Sequence, residues 1–302
     1  MWLCPLSAKW ILTETAQTKQ DRPMGTPARS HDVVAALSEE SVQTPTIAAG
    51  QRTSLYLGRN LLGLAAIGFS VISLIWHDFG APWQQTVAYG NFPLRSLLLY
   101  LAVAAELFGG IAIQWPKTAQ AGASVLGCVY LIFALLWVPR IAREPFVWDR
   151  WANFFEQLSI VSGALIIYGT AGQTGQRAAK VARLGCLCFG ICVISFTLEQ
   201  LFYLSGTASF VPKWIPPGQM FWAIATTIAF ALAAVALLSG RLALLASRLM
   251  VAMILGFGLL VWLPRPFADP HALINWAGNA QNLAIAGAAW IVADFLGVES
   301  AG

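Results

Sequence analysis

Few residues of this chain are equipped for chemistry, and several stand where a polar side chain is costly. Glu106 sits inside the run Ala104-Ala105-Glu106-Leu107-Phe108, with apolar residues on both sides. A carboxyl group in the middle of an apolar span must face the protein interior and be paired or protonated. Counted at about 1.5 Å of rise per residue, Ser70 and Tyr130 share its depth and are candidate hydrogen-bond donors. Two roles follow: a neutral acid that holds helices together, or a proton relay or ligand anchor.

A second constellation lies near the C-terminus. Asn275, Asn279 and Asn282 are spaced i, i+4, i+7 and share one helical face, flanked by Gln281. The corresponding positions of an earlier helix hold Arg150, Phe154 and Gln157, flanked by Glu156. Amides in apolar helices serve as interhelical glue. The other reading is a polar pocket open to the outer side, which Arg140, Arg265, His77 and Glu199 would help to line at the same level.

Other chemistries find no residues. There is no Walker A loop, dinucleotide-binding glycine fingerprint or His-Glu-x-x-His run. Of the three histidines, His77 and His271 stand near span ends, a poor basis for haem ligation. Cys188 and Cys192 share a helical face while Cys186 points elsewhere, and no Cys-x-x-Cys occurs, so the cysteines read as small packing residues. No catalytic residue and no metal ligand set is assigned, and the chain reads as lacking independent catalytic activity.

The elements that must position these residues are membrane helices. Hydrophobic residues make up 58% of the 302 and charged residues 11%, a balance that leaves a water-soluble fold no polar surface. Apolar runs at 58–76, 94–115, 119–138, 152–171, 181–203, 219–239, 242–263 and 275–297 are each near the length needed to cross a bilayer. Helix is required because lipid offers no partner to backbone amides. The lipid bilayer is therefore the principal partner. The basic residues, a net +4, fall in short clusters between spans rather than on one surface, which argues against nucleic-acid binding. Loops and helix ends on the side of both termini hold eight of these basic residues and the far side six, which places the termini in the cytoplasm. Residues 1–54, polar and aperiodic, are expected to be a disordered cytoplasmic tail, with Met24 an alternative start. Residues 55–175 and 176–298 then form two four-helix membrane units.

Those units read as a tandem duplication. At a shift of 125 residues, 135–164 aligns without gaps to 260–289, with Trp137/Trp262, Pro139/Pro264, Arg140/Arg265, Pro145/Pro270 and Trp151/Trp276 among ten identities. Gly68 and Val71-Ile72-Ser73 match Gly190 and Val193-Ile194-Ser195 at a shift of 122, so a small insertion separates the regions. An even number of helices per unit implies halves related by an axis along the membrane normal.

The first unit also carries Gly58-Arg59-Asn60-Leu61-Leu62-Gly63, Ile75-Trp76-His77-Asp78-Phe79 with Trp83-Gln84, and Ala105-Glu106-Leu107-Phe108-Gly109-Gly110. The second carries Val211-Pro212-Lys213-Trp214-Ile215-Pro216, Phe221-Trp222-Ala223 and Trp262-Leu263-Pro264. In these motifs, over roughly residues 56–297, the chain resembles the DoxX-like family of bacterial inner-membrane proteins in a duplicated eight-helix form. Trp262 stands where that pattern has a His before Leu-Pro, a departure that bears on any His-based role of the loop. The resemblance implies an inner-membrane subunit or scaffold with membrane or periplasmic protein partners. Two alternatives stand beside it: a quinone-linked redox subunit in which Glu106 handles protons, and a small-solute transporter.

Overall fold

The computed structural model describes residues 49–80, 94–171 and 175–300. Their regular elements are all helical: α1 Ala49–Trp76, α2 Arg95–Ala112, α3 Ala119–Leu135, the short α4 Val138–Arg143, α5 Trp148–Thr170, α6 Gln176–Phe202, the short α7 Leu204–Phe210, α8 Gln219–Ser239, α9 Ala243–Phe257, a π-helical turn Gly258–Trp262, the short α10 Arg265–Ala268 and α11 Leu273–Glu299. Most of the tail expected over 1–54 lies outside the described residues, and from Ala49 onward the chain is already helix. Among the described residues, seven helical stretches are long and apolar enough to cross a membrane, as a multi-pass membrane protein requires.

The span expected at 152–171 falls in α5, which is not one of the seven. Its first two-thirds holds Asp149, Arg150, Asn153, Glu156, Gln157, Ser159 and Ser162, which lowers its mean hydropathy. The packing explains how it tolerates them. α5 lies against α3, α6 and α11 and buries Asn153, Gln157, Ser159 and Ser162 along with its apolar residues. A helix wrapped by other helices need not present an apolar surface to lipid. The peripheral helices do the opposite: large apolar side chains such as Leu97 and Leu101 on α2, Leu232 and Val235 on α8, and Leu245 and Leu249 on α9 point outward.

The helices pack in a closed circuit. α1 contacts α2, α2 contacts α3, α3 contacts α5, α5 contacts α6, α6 contacts α8, α8 contacts α9, α9 contacts α11, and α11 returns to α1. α5 and α11 also meet across the middle. The units expected at 55–175 and 176–298 are therefore interlocked rather than two closed bundles. The first helix of each rests on the last helix of the other, and Ile47–Gly302 forms one compact unit.

Small residues permit these crossings. An added Cβ at Gly287 of α11 would stand 2.7 Å from the backbone nitrogen of Leu62 on α1. One at Gly185 of α6 would stand 2.7 Å from the carbonyl of Ser162 on α5. At the centre, Gly163 of α5 lies against Ala288 of α11, two positions that the sequence alignment pairs with each other.

The identities shared between 135–164 and 260–289 have a common local geometry. Pro139 lies in the first turn of α4 and its aligned partner Pro264 immediately precedes α10. Arg140 lies over the Trp137 ring at 5.2 Å and Arg265 over Trp262 at 4.8 Å. The Trp151 indole donates to the Pro145 carbonyl at 3.0 Å, and the Trp276 indole to that of Pro270 at 2.9 Å. α3 and α9 begin at Ala119 and Ala243, 124 residues apart, whereas Trp137 and Trp262 are 125 apart. The π turn at 258–262 accommodates the extra residue.

Candidate functional site

Each central helix is enclosed differently on its two sides. On the side of α1, α2 and α3 the described interior holds a cluster of aromatic rings. Phe69, Phe79, Tyr130 and Phe133 are all buried, with Phe79 edge-on to Phe133 and Tyr130 edge-on to Phe133. Phe79 is held in place by its neighbours: Arg95 pairs with Asp78 and lies over the Phe79 ring. Glu106 belongs to this packed interior at 1% exposure, and the Tyr130 hydroxyl faces its carboxyl. Ser70 directs its proton elsewhere, to the carbonyls of Ala66 at 3.1 Å and Val103 at 3.2 Å.

On the side of α6, α8 and α9 there is a cavity of about 420 Å³. Five helices build it. α5 contributes Glu156; α6 contributes Phe196, Glu199 and Gln200; α8 contributes Trp222, Thr226 and Phe230; α9 and its π turn contribute Ile254, Phe257 and Trp262; α11 contributes Gly278, Gln281, Asn282 and Ile285. α7 and the segment after it close one flank with Thr207, Phe210 and Pro212. The volume suits one small organic molecule.

The depth of the cavity follows from helix positions. Glu156 is about 12 Å along α5 from its start at Trp148, and Glu199 lies within the last turn of α6. Phe230 and Ile285 stand about 16–18 Å along α8 and α11 from the same end of the bundle. The cavity thus enters from the end where α4, α7 and α10 lie and reaches toward mid-helix.

Its polar groups divide into satisfied and unsatisfied ones. Gln200 Oε1 accepts from Thr226 at 3.2 Å and Thr227 at 3.1 Å. Asn282 donates to the Ile254 carbonyl at 3.0 Å, which fastens α11 to α9. Gln281 is 3% exposed, yet neither its Oε1 nor its Nε2 has a hydrogen-bond partner among the described residues. Glu156 Oε2 is likewise buried without one. Glu156 and Glu199 are close enough to interact electrostatically, with Asp149 adding its field to both. A buried polar group with no partner costs about 1–3 kcal/mol, so these orphans mark where a bound molecule would be rewarded.

The residues expected to form a pocket therefore separate. Glu156, Glu199, Gln281 and Asn282 line one cavity. Arg265 sits at its rim, 4.6 Å above Phe210 and 4.8 Å above Trp262, both of which line it. Gln157 is fully buried with both amide atoms unpartnered but does not line the cavity. Asn275 and Asn279 are glue: Asn275 donates to the Asp269 carbonyl and Asn279 to that of Trp262, at 2.9 and 2.8 Å. Arg140 stacks on Trp137 in the other half, and His77, at positive φ just after α1, faces the Tyr100 hydroxyl. Neither reaches the cavity, because α5 and α11 stand between the two sides.

Sequence reasoning missed the aromatic wall of Phe196, Phe210, Trp222, Phe230 and Phe257. Aromatic residues in membrane helices are too common to single out by type, and Phe210 belongs to a short helix outside every expected span. The three prominent cysteines of α6 contribute nothing to the lining. Among the described residues no cluster of three or more His, Cys, Asp or Glu has the arrangement of a metal site.

Comparison with known proteins gives no further guide: no family model, no curated protein and no solved structure matches the chain.

Proposed function

We propose that this chain is a multi-pass membrane protein that binds a small amphipathic solute in the cavity between α5, α6, α8, α9 and α11, as a solute carrier or solute-binding subunit. The observation that carries this reading is the pairing of an organic-sized cavity with buried, unpartnered polar atoms of Gln281 and Glu156 on its wall. Interhelical glue would have satisfied them, as it has Asn279 and Asn282.

The reading includes eight spans. α5 is 23 residues long, about 34 Å, and supplies the crossing that its polar face hides from a hydropathy criterion. With eight spans both termini lie on one side, and the basic loops make that side the cytoplasm of a bacterial inner membrane. The cavity then opens on the outer side. A tandem duplication of a four-helix unit accounts for the paired contacts α1 on α11 and α6 on α5, and for Gly163 meeting its aligned partner Ala288, as a twofold axis between α5 and α11 requires.

The DoxX-like resemblance supports a second reading, a membrane subunit without chemistry of its own. Phe146 and Phe267, 99% and 83% exposed beside α4 and α10, would be its partner contacts. The quinone-linked alternative draws less support. Glu106, its proton-handling residue, is buried beside Tyr130 on the far side of α5 and α11 from the cavity.

Gly256 allows a direct test. It lines the cavity, and an added Cβ there meets nothing within 4 Å. Gly256→Trp should fill the cavity while leaving every polar residue of its wall in place. Native mass spectrometry of the purified protein should show a small-molecule adduct on wild type that the variant lacks. Wild type free of adducts, or the same adduct on both, would refute solute binding at this place.

A further inference from the structure

The charge on the cavity wall goes further than its volume. Two carboxylates, Glu156 and Glu199, line it, and no Lys, Arg or His does. Neither carboxylate makes an ion pair among the described residues, although their neighbour Asp149 is paired with Arg150 at 2.8 Å. Arg265 lies over the rings of Phe210 and Trp262, both of which line the cavity. Arg150 is held by Glu144 and Asp149. Among the described residues the lining thus carries two acids and no base.

Resting on the solute-binding reading above, we propose that the ligand is an organic monocation with an apolar body, its positive end placed between Glu156 and Glu199. Three independent features of the wall fit that chemistry. The acids repel each other and Asp149, so a cation between them would let both ionise, whereas an anion would add to the repulsion. The faces of Phe196, Trp222 and Phe230 supply π surfaces that attract a desolvated ammonium and also cover an apolar body. The unpartnered Oε1 of Gln281 offers a neutral acceptor for an N–H of the ligand. A neutral solute would use the aromatic surface alone and leave the acids uncompensated.

The test holds the apolar body constant and changes only the charge. Calorimetric titration of the full-length protein in detergent, against detergent blanks, would compare 4-phenylbutylammonium, 4-phenylbutanol and 4-phenylbutyrate at neutral pH. The ammonium should bind about tenfold or more tighter than the alcohol, a difference of one close charge contact, with the carboxylate weakest. In the Glu156→Gln, Glu199→Gln double variant that preference should vanish while the alcohol binds as before. Glu199→Gln alone, at a helix end, should reduce it in the same direction, and provides the reading if the double variant does not fold. Equal binding of the three probes, tighter binding of the alcohol or carboxylate, or no binding of the ammonium would overturn the proposal. If Gly256→Trp still abolishes a charge-blind binding, the cavity reading survives and only the charge assignment falls. If no probe binds and wild type carries no adduct, both fall.

Discussion

At the scale of single residues, Glu106 shows how far type and depth can be read. Its inward orientation follows from physical necessity, and the structure buries it with Tyr130 facing it. The choice of donor was less legible, because Ser70 had the backbone carbonyls of Ala66 and Val103 within reach. A hydroxyl on a helix commonly turns back on its own ladder. Buried beside Tyr130, Glu106 acts as a structural acid in this account. Glu106→Gln should shift thermal unfolding little, since the amide keeps both shape and hydrogen-bonding capacity. Glu106→Leu should cost about 1 kcal/mol or more, because Leu can bond nothing that faces the carboxyl. Unfolding curves in one detergent for both variants would decide it, and a Gln variant as unstable as the Leu variant would contradict the assignment. The amide face of the last helix was half legible. Its spacing gave the shared face, but only coordinates could separate Asn279 and Asn282, which are bonded, from Gln281, which is not.

At the scale of helices, seven of the eight expected spans match long apolar helices, because lipid leaves the backbone one solution, and the eighth falls in the more polar α5. What composition could not supply is which neighbour each helix chooses. The crossings of α1 on α11 and α5 on α6 depend on close backbone approach at Gly287 and Gly185, and a glycine in an apolar run looks alike whether it packs or faces lipid. The contrast is testable. Gly287→Leu, with Leu62 and Gly58 backbone within about 3 Å of any added carbon, should destabilise the protein by several kcal/mol or prevent its accumulation. Gly256→Ala, with open space around it, should be tolerated. Similar expression and melting temperature for the two would mean that α1 does not rest on α11 as described. The short helices α4 and α10 were visible only as shared Trp, Pro and Arg letters. Their meaning, an arginine over an indole and an indole bound to a proline carbonyl six residues earlier, belongs to three dimensions.

At the scale of the whole molecule, the proposed duplication would set two differently furnished halves against each other. The 124-residue offset of α2 from α8, from Arg95 to Gln219, sets Glu106 opposite Phe230 and the packed interior of one half opposite the cavity of the other. α5 is the element on which the architecture turns. It donates Glu156 to the cavity, meets α11 at the centre, and decides by its crossing whether the chain has an even number of spans. Reporter fusions after Glu144, Gly175, Asp269 and Gly302 test this most directly. The account requires Glu144 and Asp269 outside and Gly175 and Gly302 in the cytoplasm. Glu144 and Gly175 on the same side would show that α5 does not cross, and the eight-span architecture with its outward-opening cavity would be wrong.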